Sequence, residues 1–576
     1  MTHEIKVEFD VPAVMRDGTT LYANIFRPAD GGLYPVALSR TPYAKDFTTS
    51  FLYLDMVRLA REGYIVIVQD VRGRFSSEGN FSFFWDGEAE DGYDSVEWAA
   101  GLPSSSGNVG MWGISYLGFV QWAAASLNPP HLKAIMPGFT WSDARDGMWW
   151  RGGALELGIL ANILVPSMGS DVLIKRLAGK PELGPALEIL INTIDELGRE
   201  GYNALPIKDM PAIQELDLGS ELLADLISNP FDPKYSRTPL SNLERCPVVT
   251  VPAYGIGGWY DIFIQGTLNN FVTQRLEGPT PQARQAKLII GPWSHVNYTS
   301  YIGDLDFGMR SQMGFINGQG DLVALTTRWF DYWLKDIQNG VIDEAPVKIF
   351  VMGTNIWRDS QEWPLENTTL SPYYLQPGEG ISLNTPPTGA SPSRYCYDPA
   401  DPAPTRGGNV HLSQVYGIGP KDQRPVEARA DVLTFSSQPL KSALEVIGPV
   451  SVTLWAASSA RDTDFIARLV DVHPDGFAQP LCDGIIRTRY RYDDRIEFLD
   501  PESPTELKID LWSTANVFLP GHCIRVDITS SSFPRWDRNL NTDEPFGTGS
   551  TPIKANQTIF HDANHPTCII LPVIQN

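Results

Sequence analysis

The stretch GNVGMWGISYLGFVQWAAAS, Gly107 to Ser126, sets Ser115 between Gly113 and a Tyr-Leu-Gly trio, with apolar runs on either side. A serine hydroxyl on a sharp strand-to-helix turn can attack an acyl carbon. A serine that only caps a buried helix accepts a backbone N–H and does no chemistry. The second glycine of a Gly-x-Ser-x-Gly turn is replaced here by Leu117, with Gly118 one place later. The motif alone leaves both readings open. A serine of ordinary pKa is a weak nucleophile and needs an imidazole base held by a carboxylate. The oxyanion made by its attack also needs N–H or O–H donors, each worth roughly 2.7–4 kcal/mol.

The elements that must position such groups alternate over residues 1–144. IKVEF and LYANIF read as strands about the turn Arg16-Asp17-Gly18, and VALSR and YIVIVQD as buried strands. LYLDMVRLAREG and DGYDSVEWAAG have helical periodicity, NVGMW is a strand, and Tyr116 to Ser126 is the helix after it. This rhythm means a doubly wound, parallel or mixed sheet. Residues 145–240 carry long helical patterns such as ELGPALEILINTIDELGREG with no convincing strand, as a helical insertion would. The alternation resumes over 241–340 with CPVVTVPAYG, GTLNNFVTQRL, AKLIIGPW and LVALTTRWFDYWLKD. From 341 to 576 short strands without helical period, from VKIFVMG to HCIRVDITS, predict an all-β sandwich, with a jelly roll leading. The expected fold class is α/β: a catalytic domain over 1–144 and 241–340, a helical cap over 145–240, and a β domain over 341–576.

In the α/β-hydrolase version of such a sheet the chain order is serine, acid, histidine, each partner on a loop after a late strand. Of eight histidines, His3 precedes the fold and His131 follows the Ser115 helix too early. His411, His473, His522, His561 and His565 lie in the β region. His295 remains, ending LIIGPWSH directly after a buried strand. Asp261, in GIGGWYDIF, is the candidate acid; Asp70 is its rival, but precedes the serine and is placed to fix its own Arg-Gly loop. The Tyr116 amide comes with the turn as one oxyanion donor. No HGGG-type loop supplies a second. At its place stands SRTPYAK, whose Tyr43 is either an O–H donor or a packed tyrosine after a proline.

TPY with Tyr43, DVRGR from Asp70, GISYLG around Ser115, GGWYD with Asp261 and GPWSH with His295 follow one another along the chain, and SSSFPRWDRNLNT from Ser530 closes the series. Together they resemble the X-Pro dipeptidyl-peptidase (S15) and CocE/NonD hydrolase family. The resemblance implies an α/β-hydrolase domain split by a helical cap and followed by a jelly roll. It implies a triad of Ser115, Asp261 and His295, with an oxyanion hole from the Tyr43 hydroxyl and the Tyr116 amide. It also accommodates Leu117, because that family has Ser-Tyr-Leu-Gly in its turn. The α-amino-acid ester hydrolases carry an acid where this chain has Leu117, which implies an acyl group without an ammonium. The resemblance further implies that Trp149 and Phe263 line an aromatic acyl pocket; the alternative is that these aromatics pack a domain interface. Ile163 stands where an aromatic cap residue is expected. The implied activity is a serine carboxylesterase working through an acyl-enzyme, without cofactor or metal. The alternative uses the same machinery on amides, as an acylase or X-Pro peptidase.

Composition excludes other classes. The formal charge of −23, from 45 basic and 68 acidic residues, opposes binding of nucleic acid or an anionic membrane. The expected partners are a small-molecule ester and, by family likeness, a second copy of the chain. Five scattered cysteines without a CxxC pair, and no metal-ligand spacing, give neither a disulfide framework nor a zinc ribbon. No basic-then-apolar leader and no apolar run of about 18–20 residues is visible, so the expected location is cytoplasmic. An inert hydrolase domain beside a carbohydrate-holding jelly roll is a further reading, opposed by the intact order of serine, acid and histidine.

Overall fold

The runs VALSR, IVIVQ and VGMWG are buried along their length and form the middle of a ten-stranded sheet. A computed structural model describes residues 3–47, 55–82, 87–228, 241–318, 320–412, 414–492 and 495–575. The strands are β1 (Ile5–Val14), β2 (Thr20–Pro28), β3 (Tyr34–Thr41), β4 (Ile65–Asp70) and β5 (Ser105–Ile114). They continue with β6 (Leu132–Gly138), β7 (Tyr254–Tyr260), β8 (Lys287–Ser294), β9 (Val347–Val351) and β10 (Ile356–Ser360). Their spatial order is β1-β2-β4-β3-β5-β6-β7-β8-β9-β10. Neighbours from β4 through β9 are parallel, and β1, β2 and β10 are antiparallel additions at the edges. Parallel strands need a covered sheet on both faces, which is why their sequences are nearly continuous apolar runs. Helices α1 (Glu88–Ala100), α2 (Tyr116–Ser126), α3 (Ile264–Glu277) and α4 (Leu322–Lys335) supply cover. This is the α/β-hydrolase arrangement.

The expected division at 340 moves. VKIFV, assigned from sequence to the β region, is β9; it pairs in parallel with β8 (Leu288 beside Val347) and carries β10 with it. A short apolar run has the same composition in either sheet. Only the crossover through α4 places it on this edge.

Between β6 and β7 the chain forms the helices Leu157–Asn162, Gly169–Arg176, Leu183–Leu197 and Ser220–Ser228, with one two-residue hairpin, Trp150–Arg151 against Ala154–Leu155. Their apolar faces share one core with α2 and the sheet, including Leu160, Leu173, Leu190 and Leu223. Among the described residues no single helix is long and apolar enough to cross a membrane.

The C-terminal residues build an eleven-stranded all-β sheet in which Leu444–Ser458 pairs with Thr505–Phe518, Ala555–Phe560 and Cys568–Ile574. The FPRWD segment clamps this jelly-roll domain to the cap. The Arg535 carbonyl accepts the Gly158 amide at 3.0 Å, Trp536 donates to Glu156 at 2.8 Å, and Asp537 accepts the Leu155 amide at 2.8 Å. Arg151 of the cap lies 3.6 Å above the Trp512 ring, a desolvated cation–π contact.

α2 passes close over the backbone of β6 beside the site. A Cβ on Gly118 would lie 2.8 Å from the Gly138 carbonyl oxygen and 3.0 Å from Thr140 Cβ. Gly118→Ala is therefore expected to lower stability by about 1–3 kcal/mol in urea denaturation. An unchanged midpoint and slope would contradict this packing.

Candidate active site

β5 ends at Ile114 and α2 begins at Tyr116, so one residue must reverse the chain. Ser115 does so at φ 60° and ψ −124°, a backbone conformation costing a non-glycine residue about 1–3 kcal/mol. The turn is held by the Ser115 amide donating to the Gly138 carbonyl at 2.9 Å. The Ser115 carbonyl in turn accepts from Gly118 (2.9 Å) and Phe119 (3.0 Å). The Ser115 side chain makes no capping bond to α2. Gly113 explains why leucine is tolerated two residues after the serine. A Cβ at Gly113 would meet Leu117 Cβ at 2.5 Å, so the space needed by Leu117 is left by Gly113 instead.

His295 is the first residue past β8 and Asp261 the first past β7. His295 Nε2 lies 3.0 Å from Ser115 Oγ, and its Nδ1 lies 2.7 Å from Asp261 Oδ1. With Nδ1–H donating to the carboxylate, Nε2 is the acceptor for the serine proton. Asp261 is fully buried. Burial pushes its carboxyl pKa up, while the charge and hydrogen bond of His295 pull it back.

Asp70, the sequence rival, lies elsewhere. It accepts the amides of Lys45 (2.7 Å) and Ser76 (3.2 Å), and burial raises its pKa to about 6. Arg74 adds a bond to the Pro42 carbonyl at 2.9 Å. These contacts tie the loop after β4 to the loop after β3 that carries Tyr43. The Tyr43 phenol and the Ser115 hydroxyl line the same cavity; burial pushes the phenol's pKa up to about 12, against the opposing influence of Ser115. It is therefore an O–H donor at neutral pH. The Tyr116 amide belongs to the first turn of α2, whose N–H groups point out of the helix end. The Tyr116 phenol points the other way and donates to Glu88 at 2.6 Å, and Glu88 accepts from buried Arg40 at 2.8 Å.

Ser115 opens into a cavity of ≈ 560 Å³ walled by apolar side chains, among them Leu117, Trp141, Met148, Ile163 and Phe263. Phe263 stands edge-on to the His295 ring at 5.3 Å. Trp149 requires a correction: it is 1% exposed in the core and is not on the cavity wall. Trp141 is there instead, edge-on to Phe263 at 5.2 Å and stacked on Phe119 at 5.1 Å. Trp141, Trp149 and Trp150, three tryptophans within ten residues, cannot be told apart by type. Among the described residues, no aspartate or glutamate lines the cavity.

Two residues of the site were invisible in the sequence, and both come from the β domain. Asn409 donates to the carbonyls of Trp259 (2.8 Å) and Asp261 (3.0 Å), fixing the backbone of the acid from outside its own sheet. His411 lines the cavity with its ring 5.2 Å from that of His295, and burial lowers its pKa to about 3, leaving it neutral. Their loop lacks regular structure, so no periodicity marked them.

The X-Pro dipeptidyl-peptidase (S15 family) profile matches residues 17–297, and the profile of its C-terminal non-catalytic domain matches 339–570. The chain is 36% identical over 584 residues to the cocaine esterase of Rhodococcus sp. (strain MB1 Bresler), covering 99% of each. It belongs to the S15 family. Among solved structures, an aminopeptidase from a marine-sediment thaumarchaeote is 25% identical with a TM-score of 0.81, covering 100% of this chain and 97% of that one. An α-amino acid ester hydrolase is 26% identical with a TM-score of 0.74, covering 99% and 97%. This S15 chain is thus a serine hydrolase of the carboxylesterase type.

Asn409→Ala removes both bonds to the strand end bearing Asp261. It is expected to lower kcat on p-nitrophenyl acetate by about tenfold or more, with KM nearly unchanged, since it displaces a positioned group rather than a binding contact. A wild-type kcat would contradict this.

Proposed function

We propose that the chain hydrolyses carboxylic esters with an apolar or aromatic acyl group lacking an ammonium, through an acyl-enzyme on Ser115. The observation that carries this reading is the wall of the cavity at Ser115: apolar, with Leu117 on it and no carboxylate among the described residues to pair with an amine. An isolated ammonium in such a wall would have no counter-charge, at a cost of several kcal/mol. Phe263 and Trp141 offer flat faces to a planar acyl group. The likeness to a cocaine esterase supports ester chemistry.

In the proposed sequence Ser115 Oγ attacks the ester carbonyl carbon as its proton passes to His295 Nε2. Asp261 holds the ring and stabilises the imidazolium. The oxyanion is bound by the Tyr43 O–H and the Tyr116 N–H, both present before the charge develops. As the tetrahedral centre collapses, the C–O bond to the alcohol breaks and His295 returns the proton to the leaving oxygen. Water then attacks the acyl-enzyme with His295 again as base, and Ser115 is released with the acid. The Ser115, Asp261 and His295 assignments rest on the two hydrogen bonds described above, and that of Tyr43 on its place with Ser115 on the cavity wall.

The amide-cleaving reading draws on the likeness to an aminopeptidase, but the wall has no group to receive a free amine. Steady-state rates on p-nitrophenyl benzoate and on an alanyl-prolyl p-nitroanilide separate the two. The ester is expected to win in kcat/KM by about a hundredfold or more; preference for the anilide would overturn the proposal. Ser115→Ala should lower kcat by at least about 10⁴-fold. Tyr43→Phe should lower it by about 10²–10³-fold with the fold intact. A Tyr43→Phe enzyme as fast as wild type would remove the phenol from the oxyanion site.

A further inference from the structure

Away from the cavity, two imidazoles and a carboxylate meet where three strands of the jelly-roll domain end. Asp471 and His473 stand at the end of Asp464–Val472, and His522 directly precedes Cys523–Thr529, the strand beside it. Each of the three brings a ligand-type atom within 4.8 Å of the others. The His473 and His522 rings are 4.5 Å apart, centre to centre.

The outer contacts of both rings are already made. His522 Nδ1 lies 2.7 Å from Asp471 Oδ1, and Asp471 Oδ2 accepts from Asn516 at 3.0 Å. His473 Nε2 lies 3.0 Å from Gln479 Oε1, an oxygen that can only accept. These partners fix the tautomers, with protons on His522 Nδ1 and His473 Nε2. They leave lone pairs on His522 Nε2 and His473 Nδ1. An imidazole whose far N–H is held by a carboxylate or amide oxygen is the arrangement in which histidine binds metal. Asp471 and His522 are buried and rigidly held, whereas His473 is half-exposed and gives access from solvent.

We propose that His473 and His522 bind a zinc-class divalent cation, with Asp471 and Gln479 as outer partners and water completing the tetrahedron. In a tetrahedron with Zn–N bonds of about 2.0–2.1 Å two nitrogens stand about 3.4 Å apart; the ligand-type atoms here lie within 4.8 Å, and the half-exposed His473 ring moves inward to close the site. Neutral imidazole nitrogens favour Zn²⁺, Ni²⁺ or Cu²⁺ over the oxygen-seeking Mg²⁺ and Ca²⁺. The site reaches the hydrolase sheet. Gln479 Nε2 donates to the Tyr260 hydroxyl at 3.1 Å, and Tyr260 immediately precedes Asp261. A bound ion therefore stiffens two turns of the jelly-roll domain and the contact they make with β7. The signal was absent from the sequence because His473 and His522 are distant along the chain and meet only through strand pairing.

The test uses the full chain, stripped with a chelator and exchanged into metal-free buffer, with Zn²⁺ alone as the probe. Equilibrium dialysis at micromolar Zn²⁺ should show about one ion per chain, together with a raised thermal midpoint. His473→Ala, at a half-exposed position, should lose at least about nine-tenths of that binding and the thermal shift while keeping wild-type turnover of p-nitrophenyl acetate. His522→Ala should do the same if it folds; His473→Ala decides the matter if it does not. No uptake by the wild type would overturn the proposal. So would uptake that survives in His473→Ala, including uptake lost instead in His411→Ala, which would place the ion in the catalytic cavity.

Discussion

The structure depends on how closely α2 passes over the C-terminal end of β6. That approach is set by Gly118 against the Gly138 carbonyl and Thr140, and by Gly113 against Leu117. It leaves room for a single residue between strand and helix, and that residue is driven to φ 60°. A helix cap would relax such a conformation by bonding to the next turn; Ser115 does not, and its hydroxyl faces the cavity. The strain is sustained because three backbone hydrogen bonds and a fully buried helix overdetermine the turn. The Arg40–Glu88–Tyr116 network anchors the residue after the serine from behind.

Everything else at the site is brought to that point by the sheet. β3, β5, β7 and β8 are parallel, so the loops carrying Tyr43, Ser115, Asp261 and His295 leave the same edge. The edge alone is insufficient. Asp70 and Arg74 tie the Tyr43 loop to its neighbour, and Asn409 reaches in from the jelly-roll domain to hold the Asp261 carbonyl. The jelly roll is therefore part of the active-site framework, clamped to the cap by the Arg535–Trp536–Asp537 segment.

That Ser115, Asp261 and His295 would meet was legible because each follows an apolar run that must be a buried strand, and the proposed chemistry on such a sheet asks for them in that order. Leu117 was legible only through its family likeness; the structure supplies the reason, which is Gly113. Periodicity could not say which sheet Val347–Val351 joins, because a buried strand reads the same on either side of a domain boundary. Nor could it rank Trp149 against Trp141, since both are buried tryptophans and only the fold of the cap puts one on the cavity wall. Asn409, His411 and the His473–His522 pair share one cause of invisibility. They act through contacts made by irregular loops and strand ends far apart in the chain, where residue type and spacing carry no signal.

The central claim is that Ser115, activated through His295, carries the acyl group. It is tested most directly by mass spectrometry of enzyme quenched in acid during turnover of p-nitrophenyl benzoate. The account predicts one benzoyl group per chain, located on the peptide containing Ser115 and missing when His295 is alanine. A benzoyl group on any other residue, or full turnover by a chain that never carries one, would contradict it.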